Sequence, residues 1–521
     1  MGIPKLEDAN FAGTKKSATC KLILTEGDSA KAFALSGLSI IGRNEYGIFP
    51  LKGKLLNVRN ATTAQILKNE ELNNLKKILG LKQNHIYTNL KETRYGSVII
   101  LTDQDVDGSH IKGLVMNWFH CNWPQLLELN FIKSMATPIV KCFRAKKIKV
   151  FYTLTEYEKW KKRNNKGKGW KTKYYKGLGT STAKEAKEYF YDLEERLINY
   201  TNDKLTRPVM DLAFGPSKLF SNDRKRWLSS YDRENIIEQS QKNVSFNEFV
   251  NKELIHFSNA DNDRSIASVL DGLKISQRKV LFCALKKNLK TEIKVAQFSG
   301  YVSEQSAYHH GEASLMGTII NMAQNYTGSN NINLLNPNGQ FGTRNLNGKD
   351  HASSRYIFTN LNEITTHIFN KYDTPLLKHL KNDAVVIEPE YYVPAIPMIL
   401  VNGSDGIGTG FRSKIYSHKL EDIIGALKNK MKGIESKILH PWFRGFTGKM
   451  EPICNNKEII TGYSIYGKCE FIDSYKGVLK ITEIPINTSI ESYKEYLEKL
   501  LIDKSNSNKN QCLLSYDNHS T

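Results

Sequence analysis

Three carboxylates at alternate positions, Asp103, Asp105 and Asp107, follow the apolar run Ser97–Leu101 and end at Gly108. Alternate residues of an extended chain project to the same side, so these acids can converge on one spot. Converging carboxylates repel one another unless a cation neutralises them, and a hard divalent ion such as Mg²⁺ is the usual partner. The pattern predicts a metal site at the carboxyl end of a buried strand, where open α/β sheets place their chemistry. A calcium loop of the EF-hand kind also begins D-x-D-x-D-G, but its twelfth position is a bidentate Glu, and counting from Asp103 that position is Leu114. A solvated acidic turn is the other reading of such a tripeptide.

An earlier segment has the same grammar. Lys21-Leu-Ile-Leu-Thr25 is an apolar strand pattern that runs into Glu26, Gly27 and a helical stretch to about Leu38, with Asp28 or Ser29 able to cap the helix. If the two strands are neighbours in a parallel sheet, Glu26 meets Asp103 and Asp105 at one edge. The elements needed to position them are present, because strand and helix patterns alternate from residue 19 to about 150. A helix-like segment follows Gly108 from Ser109 to Cys121. Residues 60–82 predict one helix whose Ile66, Leu67, Leu72, Leu75 and Ile78 form a core stripe. Residues 1–18 read as a polar tether and 161–173 as a flexible basic loop. Residues 183–240 read as charged helices and 246–395 as helix-rich. From 396 onward strand-like runs appear at Met398–Val401 and Gly477–Thr482, and 503–521 reads as polar loop.

Among the 521 residues, 74 are Lys or Arg and 53 are Asp or Glu, and the formal charge of +21 suits a polyanionic partner. The length predicts three or four domains at roughly 150 residues each. Seven scattered cysteines without C-x-x-C argue against a disulfide framework or a zinc ribbon and suit a reducing compartment. No apolar run has membrane-spanning length and Met1 opens no signal-peptide pattern, so the expectation is a soluble, intracellular chain with no membrane partner. Gly406-Ile-Gly-Thr-Gly410 and Gly177-Leu-Gly179 lack the full dinucleotide fingerprint, and G-x-x-x-x-G-K-[ST] is absent. Both read as tight turns, and no ATP site is expected in this chain.

Glu26-Gly27-Asp28-Ser29-Ala30 paired with Asp103-x-Asp105-x-Asp107-Gly108 resembles the Toprim metal site. Pro50-Leu-Lys-Gly-Lys54-Leu-Leu-Asn57-Val-Arg59 resembles the type IIA DNA topoisomerases in particular. In the family's order follow Lys173-Tyr-Tyr-Lys176-Gly-Leu-Gly179-Thr180, Asp271-Gly-Leu-Lys274, Tyr308-His309-His310-Gly311-Glu312, Gln340-Phe-Gly-Thr-Arg344, Ser354-Arg355-Tyr356 and Gly406–Gly410. The spellings around Lys173 and Tyr308 are similar to the eukaryotic or viral enzyme rather than to bacterial gyrase. The implied fold class is α/β and α+β multidomain: a Toprim parallel-sheet α/β domain, a winged-helix domain and a partial α+β tower domain. The implied borders are 1–18, a linker from an absent ATPase region; 19–182, Toprim; 183–245, helical connector; 246–395, winged helix with the catalytic tyrosine; and 396–521, a truncated tower-like domain. The resemblance therefore implies a fragment that can bind and cleave duplex DNA but cannot couple ATP hydrolysis to strand passage. ATP serves only the full-length enzyme.

The resemblance also implies roles for individual residues. Tyr356 attacks a DNA phosphodiester, giving a 5′-phosphotyrosyl link and a free 3′-hydroxyl. A phenol with a pKa near ~10 needs a cationic environment or a base. Arg355 supplies permanent charge and a phosphate fork. His310 stabilises the transition state or, alternatively, assists proton transfer. Tyr308 sits beside two histidines yet is not the attacking residue, and His309 is structural or phosphate-contacting. Glu26, Asp103 and Asp105 hold Mg²⁺, for which Mn²⁺ or Ca²⁺ can substitute, and Asp107 is a further ligand acting through water. Lys52, Lys54, Asn57, Lys274, Arg278, Lys279, Arg344 and Lys349 face DNA, with Lys274, Arg278 and Lys279 at a helix start suited to phosphate. Ile415 wedges between base pairs, with an ordinary buried isoleucine as the rival reading. The implied partners are double-stranded DNA and a second copy of the chain, in the nucleus if eukaryotic and the cytoplasm if viral. A Toprim-type nuclease and a non-catalytic DNA-binding or chromosome-scaffold protein stay open; a primase would carry a zinc-binding cluster.

Overall fold

A computed structural model describes residues 2–175, 177–238, 241–382, 385–501 and 512–520. Lys176 of the glycine-bearing motif and residues 503–511 of the expected polar tail lie outside the described residues. The chain forms two compact units, Met1–Asn262 with Gly408–Phe411, and Asp263–Ile407 with Arg412–Thr521.

The first unit is built on a six-stranded sheet. Its strands are β1 (Lys21–Glu26), β2 (Tyr46–Leu51), β3 (Ser97–Leu101), β4 (Ile132–Met135), β5 (Leu197–Thr201) and β6 (Asn243–Ser245), in the order β2-β1-β3-β4-β5-β6. β1 lies parallel between β2 and β3, with Leu24 opposite both Phe49 and Ile100 and Thr25 opposite Leu101. Helix α1 (Gly27–Ile41) follows β1 and helix α2 (Val106–Asn122) follows β3. The side chains divide by strand period. Leu22, Leu24, Val98 and Ile100 join one core with Phe119 and Trp123, while Ile23, Ile99 and Leu101 join another with Phe33, Leu38 and Phe190. Apolar burial on both faces is what a parallel sheet covered by helices requires.

Several sequence expectations are corrected here. Residues 2–18 are packed rather than a tether: Asp8 accepts from Arg94 Nη2 and from the Tyr95 hydroxyl, each at 2.6 Å, and Ala9 is buried. Residues 183–245 are more than a helical connector, because β5 and β6 extend the main sheet beyond β4. Residues 246–262 belong to the first unit, since Phe246, Phe249, Val250 and Leu254 are buried in its core. The helix expected over 60–82 breaks at Asn69, which ends Thr63–Lys68 and caps Glu70–Leu79 by accepting from Leu72 N at 2.9 Å. The break rotates Leu67 out of the stripe to 69% exposure, while Leu72, Leu75 and Ile78 stay buried. The supposed flexible loop at 161–173 holds the end of helix Leu154–Arg163 and the strand Lys171–Tyr174, which pairs with Val140–Arg144.

In the second unit, helices α3 (Ile275–Lys287), α4 (Val295–Gln305) and α5 (Glu312–Ala323) surround Val280, Leu281, Phe298, Val302, Leu315 and Ile319. A short antiparallel pair, Ile293–Lys294 with Phe358–Thr359, completes this bundle. The stretch Met398–Val401, expected as strand, is a single helical turn following Pro397. Later come the antiparallel hairpins Lys449–Cys454/Ile460–Tyr466 and Lys468–Asp473/Val478–Glu483, then the helix Ile490–Leu500. Among the described residues, no helix is long and apolar enough to cross a membrane.

Candidate active site

The parallel register of β1 and β3 delivers Glu26 and Asp103 to one sheet edge. The Glu26 carboxylate accepts the Asp103 backbone N–H at 3.3 Å. Gly27, at φ +80°, makes the sharp strand-to-helix turn that frees the Glu26 side chain. Asp103 in turn accepts the Leu178 backbone N–H at 2.7 Å. Asp105 is the N-cap of α2 and accepts the Gly108 N–H at 2.7 Å. Asp107 pairs with Lys54 Nζ at 2.6 Å. No side chain caps α1, although Asp28 or Ser29 was expected to: both lie within the helix, and Asp28, in its first turn, pairs with Lys5 at 2.6 Å.

The edge carries more negative charge than its neighbours balance. Burial raises the Glu26 carboxyl to about 7, helped by the charges of Asp103, Asp105 and Asp107 and opposed by the Asp103 N–H. Burial raises Asp103 too, with the Leu178 N–H opposing and Asp105 adding to the rise. Oxygen-only ligands with surplus charge are the chemistry a hard divalent cation accepts. Among the described residues, no group of three or more His, Cys, Asp and Glu side chains is arranged to hold a metal ion. Asp105 is engaged by its helix cap and Asp107 by Lys54.

Three supports of this edge escaped the sequence reading. Gly177 approaches the acids closely: a Cβ there would lie 2.6 Å from Asp103 Oδ2, so the carboxylate would have to shift. The Gly-Leu-Gly motif is thus a platform that sets the Leu178 N–H on Asp103 as well as a turn, and its glycine was the available signal. Ser109 Oγ donates to Glu253 Oε1 at 2.8 Å and lies 3.2 Å from the Asp105 carbonyl, its alternative acceptor, and Glu253 forms an ion pair with the buried Lys112. Glu253 sits in a π-turn, Val250–Leu254, of the kind often found near functional sites. One turn on, Phe257 lies 4.7 Å beneath Lys54 Nζ and stacks on the His110 ring at 3.9 Å.

The expected DNA-facing residues divide. Lys52 reaches Glu70 at 3.4 Å from an exposed position, and Lys349 is exposed. Lys274 precedes α3 as expected and donates to the Asp405 carbonyl at 3.0 Å. Asn57 is used internally, donating to Phe214 O at 2.9 Å and accepting from Asn117 at 3.0 Å. Arg278 is corrected outright: it is buried and forks onto fully buried Asp271 at 2.7 and 3.1 Å. Lys279 is likewise held by Glu388 at 2.8 Å and by Ser306 O at 2.6 Å. Arg344 is taken by Glu483 and the Ile484 carbonyl. In all three cases an internal carboxylate or carbonyl satisfies the cation before any phosphate could. Ile415 ends the strand Arg412–Ile415 opposite Ser404 and is half-buried.

Tyr356 is 72% exposed, with the Arg355 guanidinium 5.9 Å from its ring centre. Its loop is pinned by the start of α4, whose otherwise unpartnered N–H groups bracket the pair: Val295 N donates to Ile357 O at 3.0 Å and Ala296 N to Ser354 O at 3.1 Å. His310 is exposed and stands edge-on to Tyr308 at 5.5 Å, while His309 Nε2 lies 3.2 Å from Asn382 Nδ2. Tyr308 is buried and packs in the core of the second unit.

Comparison with known proteins gives a family along the whole chain. Residues 21–135 match the Toprim domain, 135–262 the C-terminal associated domain of TOPRIM, and 264–520 the DNA gyrase/topoisomerase IV family. DNA topoisomerase 2 of Bombyx mori is 50% identical over 96% of this chain, and that of Arabidopsis thaliana 51% identical over 96%. The chain spans only about a third of those proteins, 33% and 34% respectively. The crystal structure of the Plasmodium falciparum topoisomerase II DNA-binding, cleavage and re-ligation domain superposes with a TM-score of 0.78 at 49% identity, covering all of this chain and 70% of that one. The mixed architecture, a parallel-strand sheet with helices and small antiparallel sheets, is shared with that structure. On this identity and this fold, the chain belongs to the type II DNA topoisomerase family.

Proposed function

We propose that this chain is the DNA breakage-and-rejoining core of a type II topoisomerase, an isomerase whose ATP dependence belongs to the full-length enzyme. The observation that carries the reading is the Glu26–Asp103 edge, where two half-buried carboxylates from the ends of neighbouring parallel strands meet, Glu26 accepting the Asp103 N–H. The Tyr356 oxygen attacks the DNA phosphorus, forming an O–P bond as the bond to the 3′-oxygen breaks, and the phenolic proton passes to the 3′-oxygen through solvent or His310. The phosphodiester energy is kept in the 5′-phosphotyrosyl link, and attack by the 3′-hydroxyl reverses the step. Arg355 holds the phosphate by its fork, and His310 assists the transition state. Glu26, Asp103 and Asp105, with Asp107 through water, would hold Mg²⁺, with Mn²⁺ or Ca²⁺ as substitutes, and that ion would supply charge stabilisation at the departing oxygen. Lys52, Lys54, Lys274 and Lys349 contact phosphates and Ile415 wedges the base step.

A homodimer acts on duplex DNA, each Tyr356 working with the acids of the partner chain. Residues 263–395 serve as the winged-helix region and those from 396 onward as a tower-like region. The setting is the nucleus, or the cytoplasm for a virus. The test is incubation with Mg²⁺ and supercoiled plasmid, denaturation, and assay for protein joined to 5′ ends. Adducts that vanish in Tyr356→Phe support the reading. Cleavage without adduct indicates a Toprim-type nuclease, and DNA binding without cleavage a scaffold role.

A further inference from the structure

Residues 140–175 hold thirteen Lys and Arg against two Glu, an excess of eleven in a chain whose formal charge is +21. Half the net charge is thus concentrated in about a fifteenth of the length. These residues fold as one lobe of the first unit: the three-stranded antiparallel sheet of Lys147–Phe151, Val140–Arg144 and Lys171–Tyr174, with helix Leu154–Arg163 across it. The lobe has its own small core of Val140, Cys142, Phe151 and Tyr157, with Trp160 and Trp170 packed against it. On it lies an open hollow of about 550 Å³ lined by Arg144, Arg163, Asn164, Asn165, Lys168, Gly169 and Trp170.

The hollow is shaped by the backbone. Asn165, Lys166, Gly167 and Gly169 all have positive φ, which folds the connection back so that Lys168 and Trp170 join Arg144 and Arg163. Trp170 is half-buried and braced edge-on by Trp160 at 5.3 Å, so it forms a fixed wall. Among the described residues, the lobe's carboxylates are occupied elsewhere: Glu158 faces Lys161, and the Glu156 carboxylate accepts the Tyr152 N–H at 3.3 Å. No described carboxylate there lies within ion-pair distance of Arg144, Arg163 or Lys168. Three unneutralised cations, two of them guanidinium forks, around a cavity with amide donors constitute a phosphate-recognition chemistry. The strand Lys171–Tyr174 then runs within four residues to Leu178, whose N–H holds Asp103.

We propose that this lobe is a second nucleic-acid-binding surface that grips the phosphate backbone of duplex DNA through Arg144, Arg163 and Lys168, adding sequence-independent affinity beside the acidic edge. A duplex fits better than an acidic peptide because the excess charge runs over both the sheet and the helix rather than at one point. The proposal rests on the reading of the chain as DNA-acting, but it has its own readout. Counterion release gives a slope of about 0.9 in log affinity against log salt for each phosphate contact with duplex DNA. The experiment is fluorescence anisotropy of a roughly 20-base-pair random duplex from about 50 to 200 mM salt, comparing the full chain with Arg144→Gln/Arg163→Gln/Lys168→Gln. The slope is expected to fall by about 2–3, and Arg144→Lys/Arg163→Lys, which keeps the charge, is expected to retain most of it. Should the triple variant misfold by circular dichroism, exposed Lys168→Gln alone is expected to lower the slope by about 0.9. An unchanged slope in a folded variant overturns the proposal. Loss of poly-glutamate binding with an unchanged duplex slope also overturns it, assigning the lobe to an acidic protein segment. Wild-type adduct formation with an unchanged variant slope sinks this proposal alone, whereas absence of adducts bears only on the tyrosine chemistry.

Discussion

The acidic edge of the first unit and the tyrosine loop of the second solve opposite problems. Glu26 and Asp103 are partly buried, each accepts a backbone N–H, and their mutual repulsion is stored in the fold. Tyr356 is exposed, on a loop pinned at its shoulders by the first N–H groups of α4. A group that must bind an ion gains from rigid, desolvated placement, where charge interactions are strong. On the proposed reading, a nucleophile that must meet a large duplex gains from access, and takes its cationic surroundings from Arg355. Preorganisation is thus invested in the acids, and approach is left to the tyrosine.

The sharpest way to break this contrast is to exchange the roles by mutation. Tyr356→Phe is expected to abolish 5′ adducts to below detection on denaturing gels while leaving duplex affinity within about twofold, because only the attacking oxygen is lost. Asp103→Asn keeps an acceptor for Leu178 N–H but removes a charge. It is expected to lower Mg²⁺-dependent cleavage by roughly 10²–10³-fold in single-turnover assays, with no comparable loss of DNA binding.

Two stability measurements sharpen it further, one in each unit. Asp271→Ala strands the buried Arg278 cation, and Glu253→Ala strands buried Lys112. Breaking a buried pair from one side costs about 3–5 kcal/mol, read as a lowered urea midpoint. Only Glu253→Ala is also expected to weaken divalent-ion binding, since Ser109 links Glu253 to Asp105. Gly177→Ala is expected to lower divalent affinity by about 10-fold, as loss of an outer partner commonly does, by forcing the Leu178 platform off Asp103. Isothermal titration with Mn²⁺ reads this directly.

The smallest effect is in pH. Glu26 holds its proton to about 7 in the folded chain, well above the unfolded carboxyl range. Its contribution is therefore fully present below about 4.5 and is lost as pH rises to about 7. Metal-free Glu26→Gln is expected to melt roughly 2–4 °C above wild type at about pH 8, a modest gain because the group is partly solvent-screened, and to show no advantage near pH 4. Added Mg²⁺ is expected to reverse the order at the higher pH. Equal melting points of the two metal-free proteins there would remove the stored-repulsion argument.

Legibility in the sequence followed backbone regularity. The Glu26–Asp103 meeting was readable because strand period and parallel pairing fix where residue ends fall. The Tyr356 assignment came only from resemblance, since no periodicity marks one tyrosine among 25. Arg278 and Lys279 misled because a basic helix start looks the same whether its partner is a phosphate or a carboxylate distant in sequence, here Glu388 for Lys279. Residues 183–262 misled for a related reason. β5 is a short strand whose partner β4 lies far back in the chain, and β6 pairs in turn with β5, so local pattern could not reveal the shared sheet.

The π-turn at Val250–Leu254 bears on how the first unit can be dissected. A polypeptide ended at residue 245 would keep every acid of the sheet edge yet lose the counter-charge of Lys112 and the aromatic shelf under Lys54. One ended at 262 would carry both. The final two helical turns thus act as a brace fitted from behind, and the smallest autonomous version of the acidic half is set by that brace rather than by the last strand of the sheet.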